Sequence, residues 1–118
     1  MTHSNPIFAA TIVSQGFKVQ LDSIWKQNLP LIRDRLRRLD NFVDGLIKGV
    51  STPQQFKDAI DIAHKFAGSL GMFGYPLGSQ VARDLEQLLE TNNSPDPRSV
   101  RESVESIRQT LGIERSDS

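Results

Sequence analysis

The chain has no cysteine, which excludes a disulfide framework, a thiol nucleophile and a cysteine-ligated metal. That usage fits a reducing compartment, and a cytoplasmic location is expected. Histidine is almost as scarce: His3, near the start, and His64 are the only two, too few for a histidine-based metal site. Charge of one sign is missing too, since 14 basic side chains face 14 acidic ones. A chain built to hold nucleic acid carries a basic surplus, so no nucleic-acid partner is expected. The apolar run near the start, Ile7 to Val13, is broken by Thr11 and has no basic region before it. It is too short and wrongly flanked for a signal peptide or a membrane span, and no membrane partner is expected. No glycine-rich nucleotide-binding motif is present, so the chain is not expected to take phosphate from ATP by itself.

What remains is a 118-residue chain, 37% apolar and 24% charged, the size and composition of one small globular domain. Its apolar residues recur at helical spacing, and no segment alternates as a strand does. Phe17, Leu21, Ile24 and Asn28 share one face, with Trp25 beside them. Ile32, Leu36, Leu39, Val43, Leu46 and Val50 form a longer stripe, with Pro30 placed to start that helix and Gly49 near its end. Thr52, Pro53 and Gln55 read as a capping box opening the next helix, whose stripe is Phe56, Ile60, Ala63, Phe66 or Ala67, Leu70 and Phe73. Gly74 and Pro76 break the chain and restart it, and Leu77, Val81, Leu85 and Leu88 carry the following helix. In the turn from Asn92 to Pro97, Asp96 caps a last helix striped by Val100, Val104, Ile107 and Leu111 and ended by Gly112. The fold class expected is all-α: an antiparallel four-helix bundle over 17–112 with an accessory N-terminal helix. Residues 1–16 read as a tail, docked or free, and 113–118 as a disordered tail.

On a helical wheel the core stripe of the Pro53–Phe73 helix centres near Ala63, and His64 falls about 100° away, on the shoulder. Lys57, Gly68 and Gly71 share its strip, and Ala67 is nearly as small. Glycine inside a helix costs about 0.5–1 kcal/mol relative to alanine, so two beside one histidine call for a reason. Access is one: a bare strip lets a partner's backbone and a phosphoryl group approach an imidazole that is nucleophilic when neutral. A boundary histidine beside closely packed helices gives the same pattern, and residue types alone leave both readings open. Arg33, Arg35, Arg37 and Arg38 cluster at the start of the long stripe, but Asp34, Asp40 and Asp44 are interspersed, as on a solvated helix face.

The stretch Ala63-His64-Lys65-Phe66-Ala67-Gly68-Ser69-Leu70-Gly71-Met72-Phe73-Gly74 resembles the signature of histidine phosphotransfer (Hpt) domains. His64, Phe66, Gly68, Ser69 and Phe73-Gly74 match that pattern. The likeness continues through Pro76, Val81, Ala82 and Leu85-Glu86, and covers the bundle from about Leu31 to Leu111. One position departs: the family's lysine three residues after the histidine is Ala67 here, and a lysine stands at Lys65 instead. In the family that lysine lies near the phosphoryl group. Lys65 points about 100° away along the helix and is a poor substitute, whereas Lys57, two turns before His64 on its own strip, is the better one.

The resemblance implies a phosphorelay intermediate that accepts a phosphoryl group on His64 from, and donates it to, aspartates of receiver domains. Those receivers belong to response regulators or hybrid histidine kinases. Gly68, Gly71, Lys57, Lys65, Ser69 and Glu86 are the supporting residues. Glu86 matches a family position that hydrogen-bonds the imidazole nitrogen not carrying phosphate; a solvated surface glutamate is the alternative. Met72 and Phe73 fit an apolar docking surface around His64. The chain needs no cofactor of its own, because the Mg²⁺ sits on the receiver. Three other readings stand beside this one: the phosphotransfer domain of a chemotaxis-type kinase, a degenerate bundle that binds a receiver without being phosphorylated, and a helical nucleic-acid module using the arginine cluster.

Overall fold

The computed structural model describes residues 6–115, and side chains from 19 onward. Four helices follow one another: α1 (Pro6–Lys48), α2 (Pro53–Ser69), α3 (Pro76–Thr91) and α4 (Pro97–Leu111). No strand occurs among the described residues. The chain divides into two compact units between Pro30 and Leu31. Within the second unit the later part of α1 and the other three helices form the bundle.

Pro30 does not start a helix. It lies inside α1, where it removes the hydrogen bond its N–H would make to the carbonyl four residues back. The separate accessory helix expected from Phe17 to Asn28 is therefore continuous with the long stripe that follows. Helix also covers 6–16, where a tail was expected; residues 1–5 lie outside the description.

The helix boundaries follow their local chemistry. The Thr52 hydroxyl accepts from the Gln55 N–H at 3.1 Å while the Gln55 side chain accepts from the Thr52 N–H at 2.9 Å. This reciprocal box satisfies two amides that the first turn of α2 leaves unpaired. Asp96 caps α4 by accepting from the Arg98 N–H at 3.1 Å. Gly112 ends α4 in the left-handed region at φ 67°, and the next residue folds back: the Ile113 N–H donates to the Arg108 carbonyl and its side chain is buried. Ile113 is thus part of the core and not of a tail, while 116–118 lie outside the described residues.

Ile32, Leu36, Leu39 and Val43 of α1 meet Ala59, Ile62, Ala63, Phe66 and Leu70 of α2, Ala82, Leu85 and Leu89 of α3, and Val100, Val104, Ile107 and Leu111 of α4 in one core. The α3 stripe is rotated from the expected one. Leu77 is 73% exposed, and Gly78, Ala82, Leu85 and Leu89 face inward. Gly78 lies at the close approach of the three helices: a Cβ there would lie 3.1 Å from Leu70 Cδ1 and 3.4 Å from Thr110 Cγ2, so a larger residue fits only if those side chains give way. In the same way Val50 ends up beyond α1 and exposed, and Phe56, Ile60 and Phe73 are half-buried on the flank of α2.

Candidate functional site

Three pairings fix how α2 and α3 face each other. The Ser79 hydroxyl, buried, donates to the Ala67 carbonyl at 2.6 Å. The helix expected to run to Phe73 ends at Ser69, so Gly71 lies in the turn beyond α2, where a Cβ would lie 3.7 Å from the same hydroxyl oxygen. One helical turn or more along the seam, His64 Nδ1 lies 2.7 Å from Glu86 Oε2. The helices run antiparallel, so residues successively earlier on α2 meet residues successively later on α3.

The His64 side chain is 71% exposed and Glu86 only 18%. A carboxylate can only accept, so the shared proton belongs to Nδ1, and a neutral ring then carries its lone pair on Nε2. The carboxylate thereby holds both the ring's orientation and its tautomer, and the opposite nitrogen is left toward solvent. A nucleophile needs both conditions, a free lone pair and room for the electrophile.

Room is what the glycines leave. A Cβ on Gly68 would meet nothing within 4 Å, and Gly71 has only its ordinary contact with Ser79. Neither glycine is required by backbone conformation or by packing. Gly68→Ala is therefore expected to keep the fold and raise stability by up to about 1 kcal/mol in denaturant unfolding; a loss of stability would assign Gly68 a packing role.

The other expected residues are placed as follows. Lys65 pairs with Asp61 at 2.9 Å, four residues back on its own helix. The hydrogen bond from Lys65 holds the Asp61 carboxyl below the usual carboxylate range, with smaller contributions from the charges of Lys65, His64 and Arg35, and slight burial working against them. Ser69 donates to the Lys65 carbonyl at 2.8 Å and stays on its own helix. Lys57 is exposed and lines a groove with Thr52, Pro53, Phe56, Ile60 and Asn93, two turns from His64. Ala67, at the position of the family's lysine, is buried. Arg83, the one basic residue of α3, donates to Gln80 at 3.3 Å. None of these basic groups bonds the imidazole. Two arginines of the α1 cluster are tied into ion pairs: Arg37 and Arg38 with Asp34, and Arg38 also with Asp58 at 3.7 Å.

Sequence reasoning missed Ser79 and Gly78, which set the register and closeness of α3. A glycine four residues before a buried Ala82 at helical spacing was the available signal for Gly78. A buried serine that holds a neighbouring helix leaves no such mark.

The profile of the Hpt domain matches residues 23–115. Protein RcaC of Microchaete diplosiphon is 33% identical over 84 residues, which is 71% of this chain and 13% of that protein; the chain thus spans a small part of the relative. No solved structure matches. No helix among the described residues is long and apolar enough to cross a membrane. A four-helix bundle with an exposed histidine beside a carboxylate, matched by that profile over most of its length, belongs to the Hpt domain family, the phosphotransfer carriers of two-component phosphorelays.

Proposed function

We propose that the chain carries a phosphoryl group on Nε2 of His64, taken from the phosphoaspartate of one receiver domain and passed to the aspartate of another. The observation that carries this reading is the 2.7 Å contact between His64 Nδ1 and Glu86 Oε2 on an otherwise exposed imidazole. In the accepting step the Nε2 lone pair forms the P–N bond as the P–O bond to the receiver's aspartate breaks, and that aspartate leaves as a carboxylate. Nδ1 keeps its proton, so the phosphorylated ring bears a positive charge that the Glu86 carboxylate offsets. The reverse sequence donates the group. The receiver's acidic pocket and its Mg²⁺ stabilise the phosphoryl oxygens in transit. This chain supplies a positioned nucleophile and no kinase activity of its own.

The test is transfer of label from receiver domains charged with radiolabelled acetyl phosphate, followed by acid and alkali treatment of the product. Acid-labile, alkali-stable label on this chain supports the reading, and no label from any receiver overturns it. Glu86→Ala is expected to slow acceptance by about an order of magnitude, because the ring loses its fixed tautomer and its counter-charge. An unchanged rate would make Glu86 a surface residue only. Gly68→Gln is expected to block transfer by screening Nε2 while the fold is retained.

The buried Ala67 favours a second reading, a bundle that binds a receiver without being phosphorylated. That reading expects complex formation by the wild-type chain with no label on His64.

A further inference from the structure

The α2–α3 seam does not end at His64. Continuing toward the start of α2, Ile60 lies one turn and Lys57 two turns along the same strip, about 10.5 Å from His64 at 1.5 Å per residue. Across the seam Asn93 faces Lys57, in the same antiparallel register in which Glu86 faces His64. Here the surface opens into a groove lined by Pro53, Phe56 and Ile60 together with Lys57 and Asn93. Phe56 and Ile60 are half-buried. Phe56 stands edge-on against Phe42 with centroids 5.3 Å apart, so this wall is fixed by the core behind it.

Lys57 is exposed, and among the described residues it makes no hydrogen bond or ion pair, whereas Lys65, Arg38 and Arg101 each hold an acidic partner. Helical side chains lean toward the N-terminus of their own helix. Lys57 therefore leans into the groove, toward Thr52 and Pro53, and away from the imidazole.

Resting on the phosphotransfer reading above, we infer that this groove is the part of the receiver's docking surface that selects the partner: the receiver lays an apolar helix across Phe56 and Ile60 and pairs a carboxylate with Lys57. Continuity carries the assignment to a receiver. Groove and nucleophile share one seam, and a body that brings an aspartyl phosphate to His64 covers the two turns beside it. Charge carries the assignment of the handle, since Lys57 is the only charged residue among the described residues that line the groove. Lys57 then acts on encounter and not on the phosphorylated ring.

The test separates those two actions. The donor is the receiver domain that phosphorylates the wild-type chain fastest, and the parallel donor is phosphoramidate, which labels an exposed imidazole with loss of ammonia and no docking. Lys57→Glu is expected to lower kcat/KM for the receiver about tenfold at low salt, with the difference closing in high salt and the saturating rate kept. Ile60→Ser is expected to lower kcat/KM without that salt dependence. Labelling by phosphoramidate and the lifetime of the phosphorylated His64 are expected to match the parent in both variants. A shortened lifetime in Lys57→Glu and Lys57→Ala would overturn the inference and make Lys57 a charge partner of the phosphoryl group. Unchanged kcat/KM in Lys57→Glu would overturn it as well. If the wild-type chain takes no label from either donor, the phosphotransfer reading itself fails, and this inference with it.

Discussion

His64→Gln is expected to fold as the parent does and to accept no phosphoryl group, a loss limited only by the sensitivity of the assay. Both halves follow from the site's position. The side chain is exposed and lies off the core stripe, so its replacement leaves no cavity and buries no new polar group. Glutamine approximates its length and hydrogen-bonding capacity, but it has no nucleophilic nitrogen, since the amide lone pair is delocalised. Glu86 then faces an amide in place of a ring N–H, and the bundle keeps its seam. The measurement is label transfer from a charged receiver, alongside circular dichroism and thermal unfolding of both proteins. Continued labelling of the variant, or label that survives acid and is lost in alkali, would place the phosphoryl group on another residue.

The sequence made the site more legible than the packing around it. His64, Gly68 and Gly71 stand out because they break helix propensity on one strip, and Glu86 entered through the family's Leu-Glu pair. The starts of α2 and α4 were equally plain, as Thr52-Pro53-Gln55 and Asp96-Pro97 are local chemistry that no distant contact has to confirm, whereas α2 stops at Ser69, short of the expected Phe73. Two things were not legible for physical reasons. A proline after a helix-length stripe reads as a start, yet a long helix absorbs one missing hydrogen bond, and α1 runs through Pro30. The rotation of α3 depends on what touches it, and the contact of Gly78 with Leu70 and Thr110 joins residues far apart in the chain. The apolar residues Leu77 and Val81 suggested a different inward face, because spacing alone does not rank a leucine above a glycine that fits.

The seam between α1 and α4 rests on a residue that no pattern marked. Arg108, on the last turn of α4, is 7% exposed in its side chain and forks onto Asp40 of α1, which is 14% exposed, with Nη2–Oδ2 at 2.7 Å and Nη1–Oδ1 at 3.3 Å. Its Nη1 also donates to Glu105 at 3.0 Å, and its Nε is buried without a partner. Arg101 and Asp44 repeat the arrangement two turns away at 2.9 Å, in a more open setting. The two pairs are not equal. An exposed pair contributes little, because water already solvates both charges. Removing one member of a buried pair leaves the other charge desolvated and uncompensated, which costs about 3–5 kcal/mol. Arg108→Ala is therefore expected to lose about that much stability, a large share of the roughly 5–15 kcal/mol that a domain possesses. Its melting temperature should fall by at least about 10 °C, whereas Arg101→Ala should stay within about 1 kcal/mol of the parent. The interaction is tested by the pair of changes: with Asp40→Ala added, Arg108→Ala should cost markedly less than it does alone, because no orphaned carboxylate remains. A near-neutral Arg108→Ala would show that Arg115, whose Nε stands 4.0 Å from Asp40 Oδ2, takes over the carboxylate when Arg108 is gone. The α1–α4 seam lies on residues separate from the His64 strip, so phosphoryl acceptance by whatever fraction of Arg108→Ala remains folded should keep the parent's rate.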